Sequence, residues 1–289
     1  MIPLAAMTGQ SFRGIWEQVG NSFSLALTNC GLAAMSSSRI AVVDTGSPTS
    51  GIAAYDWNGT DWALVGSALT VSNANPSVAA MSSSRVAFYR HVAATGKFTL
   101  TAYDFNGSTW SAVGTPLEGG VVSNGGTAIS ALSSTRVVLF NTTDEVLQAY
   151  DFNGSTWSTV GSSSSFSSTD TCAIAKLSSS QIALALNTGT DFLGTYSFNG
   201  SSWSLVGSQM TGTSFNQTGL AALSATRVAF ADASADWLRA YDFSGSTWSL
   251  KGTSLTISGM SRPRVAALNG STIALADPDL NEIRTYRLR

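Results

Sequence analysis

Few residues in this chain of 289 are suited to chemistry, and their spacing decides which chemistry that would be. His91 is the only histidine, so a Ser-His-Asp system would have to run through it. No serine stands in the G-x-S-x-G elbow that exposes a nucleophile. The four glutamates, Glu17, Glu118, Glu145 and Glu282, form no pair of the kind that flanks a glycosidic bond. Aspartates gather in segments of irregular composition: Asp44, Asp144, Asp191, Asp232, Asp236, Asp277 and Asp279. Asp232-x-x-x-Asp236 and Asp277-Pro-Asp279 have spacings with which loops hold calcium alongside backbone carbonyls. The competing reading, which we adopt, is that aspartate builds turns by bonding its own backbone. No cofactor or metal is then expected, and Asp277 and Asp279 are the pair calcium would use. Cys30 and Cys172 lack further ligands for zinc and are read as free thiols. A catalytic constellation is missing, so the chain is not expected to be an enzyme; a glycosidase-like activity is the residual alternative.

These residues are positioned by a repeat. Trp16, Trp62, Trp110, Trp157, Trp203 and Trp248 fall 46, 48, 47, 46 and 45 residues apart. Five of them close one hairpin: YDWNGTDW, YDFNGSTW, YDFNGSTW, YSFNGSSW and YDFSGSTW. Asn-Gly between aromatic or β-branched runs is a strong hairpin signal, because both turn residues must tolerate positive φ. Each unit holds four apolar segments: one ending in AAM or AAL, one of the SSSRIAVV type, one ending in Tyr, and one carrying the Trp. A period in the forties with four short strands is the pattern of a β-propeller blade. The predicted fold is all-β: a six-bladed propeller of four-stranded antiparallel blades, read as a single domain over residues 1–289. Residues 1–12 form a lead-in, residues 13–20 match only a fourth strand, and six repeats follow over 21–289. Since the chain closes on a third strand, residues 13–20 should pair with residues 282–288 and seal the ring, which removes free sheet edges.

The repeat sorts the connections into two sets. The SSSR and FNGS turns are monotonous and share one face of the disc. The second-to-third and fourth-to-first connections vary in length and chemistry and share the other. Binding usually sits on loops displayed by a rigid scaffold, so any ligand surface is expected on the variable face. Trp237 is not explained by the repeat: its column otherwise reads Phe192, Gly51, Thr99, Val146 and Glu282. Flanked by Asp236 and Arg239, it suits a sugar ring or a partner side chain, or covers a neighbouring loop. The expected ligand-binding set is Trp237, Asp236, Asp232, Arg239, Phe192 and His91. Arg39, Arg85, Arg136 and Arg227 are instead expected to pair with Asp56, Asp104, Asp151 and Asp242. Where the turn carries Gln181 or Thr272, the aspartate is replaced by Ser197 or Arg287, so the two charges vanish together.

Composition narrows the partners. Only 11% of residues are charged and the net charge is -2, which leaves no basic footprint for nucleic acid or anionic lipid. No run reaches the roughly 20 apolar residues of a membrane span, and MIPLAAMTGQSF lacks the basic start of a signal peptide. The Gly-x-Thr-Trp hairpins at residues 107–110, 154–157 and 245–248 resemble the Asp-box hairpins of sialidase-type propellers, with Phe105, Phe152 and Phe243 at the Asp position. The regular period is also similar to lectin propellers such as the tachylectin-like and fungal fucose-binding proteins. The resemblance implies architecture; it carries over no site residues. The expected function is a recognition or adhesion module that takes a glycan or surface receptor, as a component of a virion or other extracellular particle. The alternative is a structural subunit that docks other proteins of an assembly.

Overall fold

The computed structural model describes residues 14–46, 50–72, 74–121, 126–167, 171–187, 191–211, 215 and 218–289. The lead-in 1–12 and Arg13 lie outside them. The chain forms a six-bladed β-propeller. Blade one runs from the axis outward as Cys30–Ala34, Arg39–Asp44, Gly51–Trp57 and Trp62–Thr70. Four more blades repeat this order, starting at Ala74–Ala80, Thr127–Ala131, Cys172–Lys176 and Thr218–Ser224. Blade six has Arg264–Ala267, Thr272–Asp277 and Glu282–Leu288 from the C-terminus and its outer strand from the N-terminus. Trp16 pairs with Leu288 and Gln18 with Tyr286, and after a break Phe23 pairs with Ile283. First strands contact one another in sequence round the ring, and the sixth meets the first.

The apolar pattern explains this arrangement. Second strands are buried on both faces, so IAVV, VVLF and VAFA read as continuous apolar runs. The outer strand is buried at its Trp and otherwise mostly exposed. The apolar core divides into six clusters, each shared by two adjacent blades; Tyr103 and Trp110, for example, pack against Ala54 and Ile52 of the preceding blade. The recurring tyrosines are all buried, and five of the six repeat tryptophans pack beside the aromatic that opens their hairpin, as Phe105 and Trp110 do with centroids 4.8 Å apart; Trp16 pairs with Leu288 instead.

The monotonous face is a set of blade-to-blade fasteners. In the FNGST hairpin the Asn106 Oδ1 accepts the amides of Ser108 and Thr109, both at 2.8 Å. This leaves the Ser108 carbonyl pointing at blade one, where the Ser67 amide donates to it at 2.7 Å. The same bond joins Thr115 to Ser155, Ser162 to Ser201, Ser208 to Ser246, Thr253 to Gly14 and Asn21 to Thr60. The donor always follows a bulge glycine at positive φ, such as Gly66 (65°) or Gly114 (70°). Each repeated arginine forks onto its aspartate, Arg39 Nε and Nη2 donating to the two Asp56 oxygens at 2.6 and 2.7 Å. In three of the four the guanidinium also lies over the next blade's aromatic: Arg39 over Phe105, Arg85 over Phe152 and Arg136 over Phe198, at 5.4–5.5 Å. The hydrogen bond and charge of Arg227 hold the Asp242 carboxyl below the usual range despite partial burial.

Candidate functional site

The variable face is built from hairpins that hold loops. In blades three, five and six the second strand enters a five-residue turn that opens on Asn141, Asp232 or Asp277 and closes on Glu145, Asp236 or Asn281. These closing residues have φ of 56°, 52° and 53°. Asp277 Oδ1 accepts the amides of Asp279 and Leu280, and Asp232 Oδ1 those of Ser234 and Ala235. Asp277 Oδ2 reaches the incoming loop, accepting from Ser261 and Arg262 at 3.0 and 3.1 Å. Asp44 does the same for Thr28 and Asn29. The previous hairpin grips the same loops from the other side: Asp236 accepts from Met260 and Asn281 from Leu27. Each such loop is therefore clamped between two hairpins. Of the pair that calcium would use, Asp277 is occupied by four backbone amides, one of them that of Asp279, whose own side chain is exposed. Among the described residues no group of three metal-ligating side chains forms.

These clamps change the meaning of the expected site residues. Trp237 is 6% exposed, so its ring does not offer an open stacking face. Phe215, from the loop entering blade five, packs edge-on against Phe230, and Phe230 does the same against Trp237 at 5.3 Å. The Arg239 guanidinium lies 4.1 Å from the Trp237 ring centroid, and its Nε donates to Ser254 Oγ at 2.6 Å. Phe192, 7% exposed, is covered likewise by Phe166 from the loop entering blade four. The off-repeat aromatics are therefore enclosed: Phe230 and the Arg239 guanidinium lie against Trp237, and Phe166 lies against Phe192. Asp232 is fully buried, and Asp236 holds a loop. His91 is 9% exposed, inside the strand Arg85–Val92, with neither ring nitrogen hydrogen-bonded. It lies away from solvent, contrary to the expectation of a displayed loop residue. The structure does not gather these six residues into one pocket.

Among the described residues a central channel runs along the axis between the two faces. Its volume is about 310 Å³, and its wall is the six first strands. One column of the repeat rings its variable-face end: Gly31, Ser77, Ala128, Ala173, Gly219 and Arg264. Side chains in this column aim at the next blade. A Cβ on Gly219 would meet the Pro263 carbonyl at 2.7 Å, and Ser77 Oγ donates to Thr127 O at 2.7 Å. Arg264 follows the pattern, with Nε donating to Cys30 O at 3.0 Å and Nη1 to Pro263 O at 3.3 Å. Sequence reasoning missed Arg264, although one arginine in a column of five small residues is a visible exception. Burial pushes both thiols up to about 12, and the Arg264 charge opposes the shift on each. Thiols so raised are not thiolates near neutral pH, so Cys30 and Cys172 are poor nucleophiles.

No protein-family model matches this chain, and no curated protein does. Solved structures similar to it are propellers of diverse kinds. An aldose sugar dehydrogenase from Streptomyces coelicolor, in its PQQ-bound form, aligns at 14% identity and a TM-score of 0.62, covering 96% of this chain and 99% of that one. The SapL1 lectin in complex with alpha methyl fucoside aligns at 17% identity and 0.59, covering 87% and 90%. A Hadza microbial sialidase aligns at 14% identity and 0.55, covering 92% of this chain and 66% of the sialidase. At such identities the likeness is one of fold: this chain shares the propeller with lectins and enzymes alike.

Proposed function

We propose that the chain is a non-enzymatic recognition module whose variable face takes a glycan or cell-surface ligand, displayed on a virion or other extracellular particle. The observation that carries this reading is the clamped loop network. It gives a rigid, irregular surface of low charge around a channel mouth, which suits preorganised binding. Several side chains that catalysis would need on that face are engaged or enclosed: Asp44 and Asp277 hold backbone amides and His91 is buried. A fucoside-bound lectin among the similar propellers supports a sugar as the ligand. A glycan array probed with the isolated protein tests the reading. The hit should be lost when bulk is placed at exposed hairpin positions, Thr143→Arg and Ser234→Arg. It should persist with Ser83→Arg and Ser134→Arg on the opposite face. Loss only with the latter pair would place the binding surface on the wrong side.

A second reading has its own observation. Leu64, Leu205 and Leu250 stand about half exposed at one equivalent position on the outer strands of blades one, four and five. Apolar side chains on the rim suit docking to other proteins of an assembly. An array without hits, together with assembly lost on Leu205→Asp and Leu250→Asp, would favour this reading.

A further inference from the structure

We propose that the variable-face end of the central channel binds a small carboxylate-bearing ligand, with Arg264 as its anchor. The inference does not rest on the glycan reading, because a neutral sugar could occupy the loops and leave the channel free. It starts from the odd residue in the ring. Five of the six column positions are Gly, Ala or Ser, and packing between first strands is tight enough that Gly31 and Gly219 leave no room for a Cβ. A guanidinium is nevertheless accommodated at the sixth, because it passes over the Cys30 carbonyl and lines the open channel.

Its bonding is incomplete. Arg39, Arg85, Arg136, Arg227, Arg284 and Arg289 each pair with a carboxylate. Arg264 has no ion pair among the described residues, and its two hydrogen bonds go to backbone carbonyls through Nε and Nη1. The Nη2 donors have no protein acceptor there. A half-buried guanidinium with a free edge is the group that recognises a planar carboxylate through charge-assisted bonds. The channel wall also carries hydroxyl-bearing residues, Ser77, Thr127 and Thr218.

Charge and size narrow the ligand. Arg262 lies on the loop that leads into the same strand, with Nη2 on the Thr28 carbonyl. The fields of Arg262, Arg264, Asp44 and Asp277 all reach Cys30. At this end of the channel two cations and two anions leave no surplus of positive charge, which disfavours a dianion and suits a monoanion held by the free guanidinium edge. The aspartate oxygens already accept amides and do not compete for Arg264. A volume of about 310 Å³ is at the small end for ligand pockets, and suits a compact organic acid the size of one sugar ring.

Calorimetric titration of the intact protein with D-glucuronate, D-glucose and inorganic phosphate tests the assignment. Glucuronate should bind one to one, with glucose and phosphate each at least about 10-fold weaker, and Arg264→Gln should weaken glucuronate by about 10-fold or more. Lys176→Gln, at the opposite end of the same channel wall, should bind as the native protein does. Absence of glucuronate binding, phosphate or glucose binding as tight, an unchanged Arg264→Gln variant, or an equal loss in Lys176→Gln would each overturn the proposal. Melting curves establish that Arg264→Gln is folded. If it is not, Arg264→Lys keeps the charge without the fork; weakened binding then supports the assignment and native affinity overturns it.

Discussion

At the scale of single residues, the repeat makes the chain its own control. Six tryptophans occupy equivalent places, yet only the Trp62 indole has an acceptor: its Nε1 donates to Thr285 Oγ1 of the preceding blade at 3.0 Å. The Nε1 groups of Trp16, Trp110, Trp157, Trp203 and Trp248 are buried without partners. The reason is one column, which reads Ala54, Ala102, Ala149, Thr195, Ala240 and Thr285: alanine offers no acceptor. Thr195 faces the same junction as Trp248, but neither atom finds the other, and Thr195 Oγ1 is also orphaned. A buried donor stripped of its acceptor costs about 1–3 kcal/mol. Thr285→Val should therefore lower stability by about that amount in urea unfolding, since it keeps shape and removes the acceptor. Thr195→Val removes an unsatisfied hydroxyl and should leave stability unchanged or raise it by about 1 kcal/mol. Equal losses in the two variants would mean that the Trp62 bond contributes nothing.

At the scale of the element, the outer strand and its hairpin explain why glycines recur at two places for two reasons. Gly107 sits in the turn at φ 96°, and a Cβ there would meet nothing within 4 Å. Gly114 sits in the bulge at φ 70°, and a Cβ there would lie 2.1 Å from the Ser155 carbonyl of the next blade. Gly107→Ala should cost about 1–2 kcal/mol from backbone strain alone. Gly114→Ala adds a backbone clash at the blade junction and should cost about 3 kcal/mol or more. Thermal melts of the two variants separate the readings; a smaller loss at Gly114 would remove the inter-blade bond from the list of fasteners. The hairpins themselves were legible, because Asn-Gly and the aromatic that follows state a local geometry. The contact each hairpin makes with the next blade was not, since a carbonyl aimed across a junction has no side chain to announce it. The same limit hid the fate of Trp237. It is packed by Phe230, which in turn holds Phe215, a residue 22 positions before Trp237 in a stretch of unrelated composition.

At the scale of the whole molecule, the period of the tryptophans and the phase of the chain ends made the ring legible, because closure is a property of repeat order and not of loop detail. The channel was legible only as crowding around the axis. That one arginine stands in its wall follows from aligning the six units column by column. Closure also predicts how the protein unfolds. The N-terminal segment supplies Trp16 to the cluster between blades five and six, and Gly14 to the bond with Thr253. It pairs with the last strand along both Trp16–Gln18 and Phe23–Ser24. A chain lacking residues 1–20 would expose the edge of Glu282–Leu288 and leave the junction with blade five without its tryptophan. Deleting a buried tryptophan alone costs about 3–5 kcal/mol, so the truncated chain should melt far lower and lose a single cooperative transition. The open edge should also self-associate, since an unpaired strand templates another. Adding a peptide of residues 1–24 to the truncated chain should restore both the melting temperature and the monomeric state. An unchanged melting temperature on truncation would show that the ring is held by its first strands alone and that the N-terminal strand is not its clasp.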